Sequence, residues 1–190
     1  MSAVTGRRER ERAQRHQLIV TAARELAETE GWDAVTTRRL AERVEYSQPV
    51  LYSHFAGKDA IVSAVALDGF GELAEQLGRA RAAVAAPGPV ALRAVCRAYL
   101  RFAAERPALY QAMFVMPTDL AFATDETPAP MRACFDEFVG CFPAGDEQRE
   151  PLAEVVWSAV HGMAVLADSG RIPPDGQEGR LDLLIGRFTG

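Results

Sequence analysis

A chain of 190 residues is long enough for one generous domain or for two small ones sharing an interface. With 48% hydrophobic and 25% charged residues it has the composition of an ordinary globular protein, and no run of about eighteen apolar residues offers a membrane span. A net charge of −5 argues against a nonspecific nucleic-acid coat, and the mixed acidic and basic N-terminus is not built like a signal peptide, so a cytoplasmic protein is expected.

The charge is unevenly spread. Residues 1–16 hold five arginines, Arg7, Arg8, Arg10, Arg12 and Arg15, against two glutamates, an excess of three positive charges on an otherwise acidic chain. A small cationic footprint on an acidic body suits a protein that grips phosphate at one end, although a solvated, frayed terminus has the same composition. Lys58 is the only lysine. The cysteines Cys96, Cys134 and Cys141 are odd in number and lack metal-ligand spacing, which predicts reduced thiols.

From about Arg10 to Glu30 the residues Ile19, Ala22, Ala23, Leu26 and Ala27 recur at three and four, the mark of a helix with one buried stripe. Gly31 ends it with a left-handed closing turn, and Trp32 and Val35 cover the end of a small core. Thr36 to Val44 reads as a capped amphipathic segment with Leu40, Ala41 and Val44 on one face. A second short helix begins near Ser47, whose hydroxyl can cap it, with Pro49 in the first turn and Val50, Leu51 and Phe55 inward. Two turns of helix do not hold together alone in water, so this one must lie on its neighbour. Two short helices joined by a three-residue turn read as a helix-turn-helix.

The run from Thr36 to Lys58, with Leu40-Ala41, Ser47, Leu51-Tyr52-Ser53-His54-Phe55 and Lys58-Asp59, resembles the DNA-binding signature of tetracycline-repressor-like (TetR-family) transcriptional regulators. The likeness extends back to Arg12 through Ala22-Ala23, Leu26-Ala27 and Gly31-Trp32. It implies that Gln48, Pro49, Tyr52 and Ser53 face the bases, while Thr37, Arg38, Ser47, Tyr52, His54 and Lys58 touch the backbone. On their residue types alone, Tyr52 and His54 also read as half-buried surface residues. One position departs from the pattern: Glu45 stands in the inter-helix turn where the family usually has glycine. A left-handed glutamate there costs about 1 kcal/mol and adds negative charge near phosphate, so either the turn is altered or the cost is tolerated.

Downstream, a proline-free helix runs from Lys58 to about Ala86, carrying Ile61, Val62, Val65, Phe70, Leu73 and Leu77 and weakened by Gly69, Gly71 and Gly78. Ala86-Pro87-Gly88-Pro89 breaks the chain. Helices are predicted over Val90–Glu105 and Ala108–Met116, then a loop to Pro130, then helices over Met131–Phe142, Glu150–Asp168 and Arg180–Phe188. On Glu150–Asp168 the periodic set is Leu152, Val155, Val156, Ala159, Val160 and Met163; Trp157, Ala164 and Val165 make the other side apolar too, so two partners should bury it. No stretch alternates long enough for a strand, and the fold is expected to be all-α. Residues 1–57 form the predicted three-helix DNA-binding domain, and residues 58–190 a larger helical domain for effector binding and dimerisation.

Trp157-Ser158-Ala159-Val160-His161-Gly162-Met163 and Arg106-Pro107-Ala108-Leu109-Tyr110 also look like effector-domain motifs of one TetR-family branch. The aromatic and methionine supply of the second part is enough to line an apolar cavity, and equally enough to be plain core. Phe102, Met113, Phe114, Phe135, Phe138 and Trp157 are the candidate walls, with Tyr99, Tyr110 and His161 as polar anchors; His161 also reads as a satisfied core histidine. No phosphate loop, zinc-helix histidine pair or paired-carboxylate pattern suggests an enzyme, and no cofactor or metal is expected. The resemblance implies a homodimer that binds a double-stranded operator and is released by a small, largely apolar effector, with the last two helices as interface. A helical ligand-, metal- or redox-responsive protein with a weak or vestigial DNA module is the alternative.

Overall fold

The computed structural model describes the backbone of residues 3–188 and the side chains of residues 6–188. Among these the secondary structure is helical throughout: α1 (Ala3–Glu30), a 3-10 turn (Trp32–Ala34), α2 (Thr37–Arg43), α3 (Gln48–Tyr52), α4 (Lys58–Ala82), α5 (Pro89–Glu105), α6 (Pro107–Phe114), α7 (Ala129–Val139), α8 (Arg149–Asp168) and α9 (Gln177–Phe188). The chain divides into two compact units. One runs up to Leu67 and includes Ala108–Leu120; the other comprises Asp68–Pro107 and the chain from Ala121 on.

In the first unit α1 begins well before Arg10. Its arginine-rich end stays helical because Glu11 pairs one turn away with both Arg7 (2.8 Å) and Arg15 (3.6 Å), turning a self-repelling run into an alternating one. Ile19, Ala23, Leu26 and Ala27 form the buried stripe. Gly31 closes the helix at φ 81° but ψ 165°, an extended left-hand region open essentially to glycine alone, rather than in the expected closing turn. That geometry swings the chain so that Trp32 is buried and its indole N–H donates to the carbonyl of Ala108 at 2.8 Å. Glu28 completes the join, its carboxylate accepting from the N–H groups of Ala108 (3.3 Å) and Leu109 (3.0 Å) at the start of α6. Thus α6 is held by α1 through two orphan backbone donors and by the 3-10 turn through one indole.

Thr36 caps α2, its hydroxyl accepting from the N–H of Arg39 at 3.2 Å. Arg39 also makes a two-pronged bond to Glu30 (2.8 and 2.9 Å), and Arg43 reaches Glu25 (2.9 Å), which fixes α2 against the end of α1. Ser47 stands at the cap of α3 but makes no side-chain cap bond, contrary to expectation. The reason is local: of the two donors a cap hydroxyl serves, Pro49 has no N–H, and that of Val50 already bonds the Ser47 carbonyl at 3.0 Å.

In the second unit α5 is the central element and packs against α7, α8 and α9. Three neighbours explain why it buries Leu92, Val95, Cys96, Tyr99, Leu100 and Phe102, more than one face of a helix. Arg97 and Arg93 bridge to Glu178 and Asp182 and set the register of α9 on α5. Arg81 of α4 and Glu137 of α7 pair at 2.6 Å. The buried seam of α8 is Ala153, Val156, Val160 and Ala164, offset from the expected set, with alanines permitting close approach. Val155, expected inward, is 54% exposed. The 117–130 segment is largely without regular structure, but Arg132 binds the carbonyls of Asp125 and Thr127, and Phe122 meets Phe70 edge-on.

Candidate functional site

Leu51 is the pivot of the helix-turn-helix. It has no exposed surface, belongs to the five-residue α3 and drives that helix onto α2, which leaves the opposite side outward. On that side Gln48, Pro49 and Ser53 are exposed and Tyr52 is 52% exposed, so a side chain for amide readout, a compact apolar ring and an aromatic face share one small surface. Thr37, half-buried at the start of α2, lies with its hydroxyl 3.4 Å from that of Tyr52, which steadies the phenol. Arg38 is exposed and bonds Glu42 at 3.0 Å, a surface pair that phosphate can displace. Ser47 is exposed; the hydroxyl of Ser53 donates to the Val50 carbonyl at 2.6 Å and so finishes α3.

Two of the predicted backbone-contact residues are placed differently from these. Lys58 is half-buried, its ammonium donating to the carbonyl of Trp32 at 2.5 Å, so it locks the 3-10 turn to the start of α4. His54 is half-buried against α1. Burial, then the charges of Arg12, His16 and Arg15, hold its pKa below the ordinary histidine value, and its Nδ1 is shut off from solvent with no hydrogen-bond partner among the described residues. Beside it opens a groove of about 350 Å³ lined by Arg8, Glu11, Arg12, Arg15, Ser53 and His54. The basic run was visible in the sequence, but its position against His54 was not, because it depends on α1 being helical seven residues earlier than its apolar stripe requires.

In the turn before α3 the left-handed conformation is kept and the glutamate tolerates it. Glu45 has φ 56°, with its N–H bonding Glu42 O (3.4 Å) and the N–H of Tyr46 bonding Ala41 O (2.9 Å). This is the double-bonded helix end in which the left-handed residue is usually glycine.

Of the candidate effector residues, six belong to the second unit. Tyr99, Trp157 and His161 form a connected polar group in apolar surroundings: the indole N–H of Trp157 donates to the Tyr99 hydroxyl (3.2 Å), which lies 3.2 Å from Nδ1 of His161. The hydroxyl donates to Nδ1 in one imidazole tautomer and accepts from it in the other. Burial lowers the His161 pKa, which favours the neutral ring. Phe138 meets the Tyr99 ring edge-on at 5.7 Å and Phe135 meets Trp157 at 6.4 Å. Phe102 is fully buried, with the Arg106 guanidinium 5.2 Å from its ring centre. Tyr110, Met113 and Phe114 lie on α6 in the first unit, Tyr110 and Phe114 with ring centres 4.8 Å apart.

The thiols of Cys96, Cys134 and Cys141 are all buried, and desolvation pushes each up to about 12. Burial thus favours the protonated thiols at neutral pH and disfavours thiolate chemistry at these positions. No group of three or more His, Cys, Asp or Glu among the described residues is placed to hold a metal ion, and no helix among them is long and apolar enough to cross a membrane.

An exposed short helix seated on a capped partner through a buried leucine, beside a basic first helix, defines a helix-turn-helix regulator of transcription. Residues 19–65 match the family described as bacterial regulatory proteins, tetR family, and residues 92–188 match the tetracyclin repressor-like C-terminal domain. The chain belongs to the TetR family of transcriptional regulators. It is 32% identical over 103 residues to the HTH-type transcriptional regulator YobS of Bacillus subtilis, a match covering 54% of this chain and about half (53%) of that protein. Among solved structures it resembles the regulatory protein SCO4313 (TM-score 0.72, 24% identity, 94% of this chain and 98% of that one). It also resembles a single-substitution variant of TetR from Acinetobacter baumannii AYE in complex with minocycline (TM-score 0.61, 24% identity, 90% and 93%). At these identities the structural likeness is one of fold.

Proposed function

We propose that this protein is a homodimeric, non-catalytic, cytoplasmic repressor that leaves a near-palindromic operator when a small, largely apolar effector binds. The observation that carries the reading is the exposed polar side of α3 above the buried Leu51. Gln48, Pro49, Tyr52 and Ser53 read bases in the major groove, Gln48 through two bonds to adenine and the Pro49 and Tyr52 rings against thymine methyls. Thr37, Arg38, Ser47, His54 and Lys58 set the register on the phosphates, Lys58 by exchanging the Trp32 carbonyl for one.

One recognition helix reads too few bases for specificity, so two copies present theirs about 34–36 Å apart. A second apolar row on α8, Leu152, Val155, Ala159, Met163 and Leu166, supports α8 and α9 as the interface. Val155 is 54% and Leu166 39% exposed, and Leu183 of α9 is 71% exposed. Paired across a twofold axis, these helices make a four-helix bundle. The effector reading rests on the group around Tyr99, Phe135, Phe138, Trp157 and His161, which offers aromatic walls with a few polar atoms. A 1–57 DNA-binding domain and a 58–190 effector and dimerisation domain are the functional division; α4 supplies residues to both compact units and is the natural lever between them.

Titration of duplex DNA at several salt concentrations tests the reading. A steep salt dependence with a sequence preference is expected, and a protein that binds no duplex at any salt is not this regulator. Tyr52→Ala, which removes an exposed ring and leaves Leu51 in place, abolishes the sequence-specific component while the fold persists by circular dichroism. Unchanged affinity would refute the assigned face.

A further inference from the structure

Among the described residues, the groove between α1 and the end of α3 has the make-up of an anion site. Three guanidiniums, Arg8, Arg12 and Arg15, line it with one carboxylate, Glu11, whose charge Arg7 (2.8 Å) and Arg15 (3.6 Å) already offset. Ser53 and His54 form its other wall, so it opens directly beside the exposed Tyr52 and Ser53. We propose, resting on the DNA-binding reading, that this groove takes a backbone phosphate of the duplex and that filling it draws a proton from solvent onto His54.

The physical case begins with what faces His54. Arg12, Arg15 and His16 act on it from α1, with Arg8 and Glu11 along the same groove; on its own side stand Ser53 and Phe55, the latter stacked on His16 at 4.4 Å. Burial and, after it, these positive neighbours disfavour an imidazolium without a counter-charge, so the neutral ring of His54 is favoured in the free protein. A phosphodiester between the guanidiniums reverses the local field and favours the charged ring. Binding is then linked to proton uptake: affinity for DNA rises as pH falls through the histidine range. A duplex is favoured over a free anion as occupant because the groove is open and continuous with the base-reading surface, where a polyanion lies across several cations at once.

The experiment uses the full chain and a fluorescein-labelled, mixed-sequence duplex of about 25 base pairs, enough for two half-sites. Anisotropy titrations run between about pH 8 and about pH 5.5 at several salt concentrations, and the three histidines are followed by NMR with and without duplex. The duplex should raise the His54 titration, with Kd falling up to about tenfold for each unit of that rise. Arg12→Ala should lower the slope of log affinity against log salt by about one, and His54→Gln should flatten the pH dependence. A duplex that binds while the His54 resonance titrates as in the free protein overturns the proposal, and wild-type NMR decides this even if a variant fails to fold. Inorganic phosphate moving His54 where duplex does not would make the site one for a free anion and also overturns it. Absence of any duplex binding instead fails the regulator reading itself, and this inference with it.

Discussion

At the residue scale, two helix ends in this chain are built alike and differ in one side chain. After α8, Gly170 at φ 66° lets the N–H of Arg171 bond Leu166 O (2.8 Å) and its own N–H bond Ala167 O (3.0 Å). After α2, Glu45 does the same at φ 56° with a Cβ in the way. Glu45→Gly should therefore stabilise the fold by about 1 kcal/mol, read as a higher urea midpoint at unchanged slope; a lower midpoint would show the strain already relieved. His161 makes a second residue-scale prediction. Its folded-state pKa lies below the ordinary 6.5 because it is desolvated, so between that value and the folded one the unfolded chain binds more protons. Stability must then fall as pH drops below about 6.5, and thermal melts of His161→Gln should lose less over that range than wild type. His54 shifts in the same direction, so some acid sensitivity remains in the variant.

At the element scale, α6 depends on a partner distant in sequence. It has eight residues, begins with proline and cannot sustain itself in water, yet Glu28 receives the N–H groups of Ala108 and Leu109 and Trp32 bonds the Ala108 carbonyl. Glu28→Ala should cost about 1 kcal/mol, the usual loss for an emptied cap. Trp32 and Trp157 are the only tryptophans, so a Trp157→Phe background lets Trp32 fluorescence follow this unit alone during denaturation. A midpoint identical to the background would show that water serves the α6 start equally well. The periodicity of α6 was plain in the sequence. Its bond to α1 was not, because nothing local to Glu28 distinguishes it from any solvated glutamate near a helix end.

At the scale of the whole molecule, the apolar residues left outward on α8 and α9 are an unpartnered stripe in a single chain, and a second copy is their simplest cover. Leu183→Glu and Val155→Glu, each placing a charge on an already exposed position, should convert the proposed dimer to a monomer by sedimentation and weaken duplex binding through the lost second half-site. A dimer that survives both changes would place the interface elsewhere. The mismatch between the expected and observed seams of α8 has the same origin. Periodicity marks Val155 and Val156 as apolar alike, but only packing against α5, α7 and α9 decides that Val156 turns in and Val155 out.

The amino-acid order alone determined the helical periods, the breaks at Gly31, Pro89 and Gly170, and the helix-turn-helix with its buried Leu51. These features depend on residues within a few positions of each other, where sterics and local hydrogen bonds act without knowledge of the fold. Only the tertiary structure decided that Ser47 caps without its hydroxyl, that Lys58 donates to the Trp32 carbonyl and that the three thiols are desolvated. The same holds for Tyr99, Trp157 and His161, which satisfy one another across about sixty positions, and for the arginines of α1 that border His54. Burial and charge compensation are sums over neighbours drawn from the whole chain, and those neighbours exist only once it has folded.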